Sequence, residues 1–156
     1  MKTLTLAFAA AVIAGVVAPS VGAQQPYPAN KLDIAVYSDT VSSSRGDVRL
    51  ARVCTQTNTF PRKARVVFRA WAVDTKTGKA MGNDEIRYAY VRIPGQPNLK
   101  LTFGSHGAVG NKVWFWSAGV DVPVDYPLGD VTLKVVFTLD NGKTAVAKYP
   151  ITINPA

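Results

Sequence analysis

Cys54, His106 and Met81 supply one each of the thiolate, imidazole and thioether groups that bind soft metals or attack electrophiles. A blue-copper centre takes two histidines and a cysteine, usually with a distant methionine. Structural zinc takes four cysteine or histidine ligands. One cysteine and one histidine cannot build either within one chain. What remains is Cu(I), which accepts soft ligands at low coordination number, and nucleophilic attack by Cys54 with His106 as its base. Nothing in the spacing brings these residues together, and no nucleophile motif such as G-x-S-x-G surrounds any of them. The sequence therefore favours an inert, buried Cys54, a loop His106 and an ordinary Met81. Thiol or Cu(I) handling through Cys54 is kept as an alternative function.

Carboxylates fare no better as catalysts. Only one of the ten acidic residues is a glutamate, Glu85. Asp84 and Glu85 are adjacent, so on a strand they point to opposite faces. Asp121 and Asp125 flank Pro123 and read as turn residues. Acids this sparse do not assemble the oxygen cage that calcium needs. The run Gly104-Ser105-His106-Gly107-Ala108-Val109-Gly110 resembles a phosphate cradle in composition, but it leads into a strand. A phosphate loop leads into a helix N-terminus. Arg45-Gly46-Asp47 is taken as a chance occurrence of an adhesion tripeptide. These observations argue against an enzyme and imply no cofactor.

The bulky rings carry more information. In Val113-Trp114-Phe115-Trp116, alternation separates Trp114 and Trp116 from Val113 and Phe115, so both faces of that strand are apolar. In Arg65–Val73, a core face of Val66, Phe68, Ala70 and Ala72 leaves Arg65, Arg69 and Trp71 on the other side. Tryptophan and arginine are enriched at binding hot spots. Trp71, Arg65, Arg69, Trp114 and Trp116 are accordingly the candidate binding surface.

These residues must be positioned by strands. Period-two patterning predicts strands over Lys31–Tyr37, Val48–Gln56 (with a bulge), Lys63–Val73 and Glu85–Ile93. It predicts others over Leu99–Phe103, Lys112–Val122, Val131–Thr138 and Thr144–Ile153. In Glu85–Ile93 the expected common face is Ile86, Tyr88 and Tyr90. Turn signals separate the strands, the strongest being Asp140-Asn141-Gly142. About eight strands with no helical periodicity predict an all-β, antiparallel two-sheet sandwich. The first 23 residues read as a secretory signal peptide, with Lys2, an apolar run from Leu4 to Val17, and Val21-Gly22-Ala23 at the cleavage site. A short leader over residues 24–30 and one domain over residues 31–156 complete the predicted organisation. A periplasmic or secreted destination follows, with no membrane span after cleavage.

The stretch Tyr126–Ile153 resembles the last two strands of bacterial immunoglobulin-like or fibronectin-type-III-like modules. Tyr126 and Gly129 precede the penultimate strand, and Asn141-Gly142 forms the tight hairpin. The resemblance implies an immunoglobulin-like sandwich and is silent on activity. A single cysteine rules out the paired cysteines of antibody domains.

The net charge is +8 and becomes +7 without Lys2. Such a chain favours anionic partners, although its basic residues are scattered along the sequence and read mostly as solvated strand faces. Nucleic acid is not expected for an exported protein. The function expected is non-enzymatic: an accessory module that docks to another exported protein through aromatics and arginines. Binding to a glycan or an acidic cell-wall polymer is the alternative.

Overall fold

The computed structural model describes residues 34–50 and 54–156, together with the backbone of Tyr27–Pro28. The predicted signal peptide over residues 1–23, and the leader apart from those two backbone positions, lie outside the described residues. Among the described residues there is no helix, and none long and apolar enough to cross a membrane.

The strands are β1 (Tyr27–Pro28), β2 (Ile34–Gly46), β3 (Thr59–Pro61), β4 (Ala64–Asp74) and β5 (Ile86–Arg92). They continue with β6 (Leu99–Lys100), β7 (Thr102–His106), β8 (Val113–Asp121), β9 (Gly129–Leu139) and β10 (Thr144–Asn154). They form two sheets. The first runs β1-β2-β4-β8-β7 and the second β3-β10-β9-β5-β6. β3 lies parallel to β10, with Thr59 opposite Thr152 and Phe60 opposite Ile153. The second sheet is therefore mixed, where the sequence predicted antiparallel pairing throughout.

Strict alternation explains the packing. On β4, Ala64, Val66, Phe68, Ala70 and Ala72 are buried while the residues between them are partly exposed. On β10, Ala145, Ala147, Tyr149, Ile151 and Ile153 point inward against them. Leu133, Val135 and Phe137 of β9 complete this side of the core. The hairpin between β9 and β10 closes as expected, with Gly142 at φ 80° donating its N–H to the Leu139 carbonyl at 3.0 Å. Leu101 is buried where the chain leaves β6 for β7, passing from one sheet to the other in a single residue.

Three sequence expectations are corrected. β2 extends to Gly46 through Ser38–Arg45, a stretch too rich in serine to read as a strand. Its buried hydroxyls are satisfied by segments distant in sequence: Thr40 donates to the Thr57 carbonyl and lies 3.2 Å from the Tyr149 hydroxyl, and Ser42 bonds both backbone groups of Thr55. Of the predicted strand Val48–Gln56, residues 51–53 lie outside the described residues, and the described ones belong to no strand: Val48 and Gln56 form isolated bridges with Ala64 and Val41. In β5 the register shifts between Ile86 and Tyr88, so Ile86, Ala89 and Val91 are buried while Tyr88 and Tyr90 face outward.

Tyr126 precedes β9 and is buried, and its hydroxyl donates to the Pro94 carbonyl at 2.9 Å. Burial pushes its phenol pKa above the ordinary value. The same residue's carbonyl accepts from Arg62 Nε at 2.7 Å.

Candidate functional site

The outer face of the first sheet collects side chains from four neighbouring strands. β4 contributes Arg65, Arg69 and Trp71, because their alternating neighbours fill the core. Register then fixes the rest. Tyr37 and Asp39 of β2 stand opposite Trp71 and Arg69, and Ser117 of β8 stands opposite Arg69 on the other flank. On β7, Gly104 is opposite Phe115 and His106 is opposite Val113. The absence of a side chain at Gly104 leaves the space beside Phe115 to His106.

Phe115 is the hub. The His106 ring stacks on it at 4.1 Å and 14°, and Trp71 leans on it at 5.3 Å and 52°. Those rings reduce Phe115 to 8% exposure although it points away from the core. His106 Nε2 lies 3.1 Å from Ser117 Oγ, which fixes the imidazole plane. Arg69 is clamped by Asp39, its Nε donating to one carboxylate oxygen at 2.7 Å and its Nη2 to the other. That fork geometry leaves the guanidinium carbon 5.8 Å from the Trp71 ring and 6.0 Å from Phe115, within cation–π range. Lower on the same face, Arg65 lies flat over Gly119. Its Nη2 donates to the Gly119 carbonyl at 3.2 Å and its Nη1 to Asp121 at 3.1 Å. A methyl group at residue 119 would stand 3.0 Å from Arg65 Nε, so glycine is what permits this placement. Both arginines are thus ion-paired, and the surface combines rigid rings with locally balanced charge.

Trp71, Arg65 and Arg69 share one face, as the alternation of β4 predicts. Trp116 does not join them, and its assignment to the binding surface is corrected. It is 5% exposed, packs on Phe103 and Phe137, and donates its indole N–H to the Met81 carbonyl at 3.0 Å. The physical reason is the pairing of Ala70 with Trp116, which turns both toward the core. Trp114 points to the same side of β8 but is 54% exposed, with its ring 5.5 Å from Phe103. It is accessible and separate from the ring cluster. Sequence reasoning missed Phe115, His106, Asp39 and Tyr37 as members of this face. The signal was present for Phe115, which alternates with the tryptophans. For the other three it required the cross-strand register.

His106 was expected in a loop and instead ends β7. Cys54 was expected to be buried and is exposed. Met81 packs against the core, so the three soft ligands are placed in different surroundings. Among the described residues no group of three or more His, Cys, Asp or Glu could hold a metal ion. Asp84 and Glu85 precede β5, and Glu85 accepts the Gly82 N–H at 2.9 Å, a turn role.

Compared with known proteins, the chain matches no family model, and no curated sequence is significantly similar to it.

Proposed function

We propose that this protein is a non-enzymatic, exported accessory module of immunoglobulin-like architecture that docks to another exported protein through the outer face of the first sheet. The immunoglobulin-like reading is supported by two packed β-sheets with no helix among the described residues, and by the tight β9–β10 hairpin at Asn141-Gly142. The docking reading is carried by one observation: Phe115, Trp71 and His106 form a stacked cluster on a sheet face, held by a clamped arginine. Tyrosine, tryptophan and arginine anchors on rigid strands bury area at small entropic cost, which is what the centre of a protein–protein interface requires. Val113 and Tyr37 extend the exposed apolar surface on either side. Because Arg65 and Arg69 are already neutralised by carboxylates, this face suits a protein surface of mixed polarity more than a polyanion.

Crosslinked capture from the native cell envelope tests this. A partner recovered with the parent protein should be lost, or bound at least tenfold more weakly, with Trp71→Ala. Lys148→Gln, on the other sheet, should retain it. Equal recovery of the same partner by parent and Trp71→Ala would refute the assignment.

A further inference from the structure

The register of the second sheet aligns cations that are far apart in sequence. Lys148 on β10 stands directly opposite Lys134 on β9, and Lys134 directly opposite Arg92 on β5. All three are exposed, since Ala147, Leu133, Val135 and Val91 beside them fill the core. Neighbouring strands are about 4.8 Å apart, so the three cationic positions lie within about 10 Å of one another along the sheet. Like charges directly opposite each other on a sheet are destabilising. No carboxylate relieves them: among the described residues none of the three makes an ion pair, whereas both arginines of the first sheet's cluster do. Asp130, on the same face of β9, is four residues from Lys134 and accepts from Thr152 Oγ1 at 2.7 Å.

Beside this row runs a second one, made of Val146, Val136, Tyr90 and Lys100 across β10, β9, β5 and β6. Tyr88 follows on β5 and is 55% exposed. Arginine guanidiniums lie over both tyrosines, Arg87 at 5.2 Å from the Tyr88 ring and Arg92 at 5.9 Å from the Tyr90 ring. A cleft of about 550 Å³ opens next to them, walled in part by Tyr88, Tyr90, Lys100 and Phe103.

We propose that this face binds an acidic polysaccharide, a chain of pyranose rings bearing a carboxylate on successive units. Charge complementarity carries the choice of an anion, and the tyrosine rings and cleft beside the row carry the choice of a glycan. The tyrosines and the cleft beside the row supply ring-stacking surface and room for a sugar. The site is on the opposite sheet from the ring cluster, so it stands or falls independently of the docking assignment.

The test is direct binding of the intact protein to immobilised polygalacturonate, with dextran, polyglutamate and poly(dT) as comparison polymers. Affinities are read at low and physiological salt. Polygalacturonate should bind more tightly than the other three, with affinity falling steeply as salt rises. The double variant Lys134→Gln/Lys148→Gln should lose at least tenfold in affinity and flatten the salt dependence. Tyr90→Ala should weaken binding while leaving the salt dependence in place, and Lys79→Gln, in the turn after β4, should match the parent. The proposal is overturned by failure to bind polygalacturonate, by equal or tighter binding of dextran, polyglutamate or poly(dT), or by a loss smaller than tenfold in the double variant. If the double variant does not fold, judged by its tryptophan fluorescence, the single variant Lys134→Gln and Tyr90→Ala decide the matter by the same criterion of weakened binding.

Discussion

Trp114 and Trp116 sit two residues apart on one side of β8, yet only Trp116 lies over the core. Alternation in the sequence states that the two share a side. It does not state where along the strand the opposing sheet ends, and that boundary decides their roles. Truncating a buried tryptophan removes transfer energy and leaves a cavity, so Trp116→Ala should cost about 3–5 kcal/mol in urea unfolding. Trp114→Ala should cost less than about 1 kcal/mol by the same measurement. Tyr126 gives a second contrast. Its hydroxyl bond to Pro94 contributes about 1 kcal/mol, which Tyr126→Phe should lose near neutral pH. The folded-state pKa is raised, so this contribution is complete below the unfolded value of about 10 and is lost as pH rises through the folded value. The stability gap between parent and Tyr126→Phe should therefore hold up to about pH 10 and shrink above it in denaturation series.

At the level of strands and turns, the sequence was most legible where apolar residues alternate cleanly, as on β4, β9 and β10. It was least legible on β2, where buried serine and threonine replace aliphatic residues and are satisfied by a crossing segment at Thr55 and Thr57. It also misled on β5, because one register shift reverses which residues face inward after Ile86. The opposed cations of β9 and β10 have a measurable cost of their own. Lys134→Gln should raise stability by about 0.2–1 kcal/mol at low ionic strength, with the gain shrinking as salt screens the repulsion. In the turn after β4, the N–H groups of Lys76 and Thr77 bond the Asp74 carboxylate and hold its pKa below the usual aspartate value. A depressed folded pKa means that the stabilisation is present above about pH 4 and is lost as pH falls through the folded value. Asp74→Asn should flatten the acid limb of the stability curve, as followed by thermal unfolding from pH 5 downward.

Over the whole molecule, the two sheet faces differ in kind. Scattered basic residues look like ordinary solvated positions in the sequence, because Arg92, Lys134 and Lys148 meet only through pairing between β5, β9 and β10. The ring cluster is likewise assembled from β4, β7 and β8, with its clamping carboxylate on β2. Its tryptophan and arginines were visible in one strand while their partners were not. Separation of the faces predicts independence: Trp71→Ala should leave polygalacturonate affinity within about twofold of the parent, and the Lys134→Gln/Lys148→Gln variant should retain any partner captured through the ring cluster. Additivity of distant sites is the basis for that expectation, and a double-mutant comparison measures it.

The parallel alignment of β3 with β10 has a mechanical side. A load applied between the beginning of β3 and the end of β10 runs along both strands in opposite senses, so their shared hydrogen bonds are strained together in shear. A hairpin pulled from its open end unzips one bond after another, whereas this seam yields only when all its bonds give way at once. Pulling on the end of β10 against β3 therefore meets more resistance than opening a hairpin of the same length.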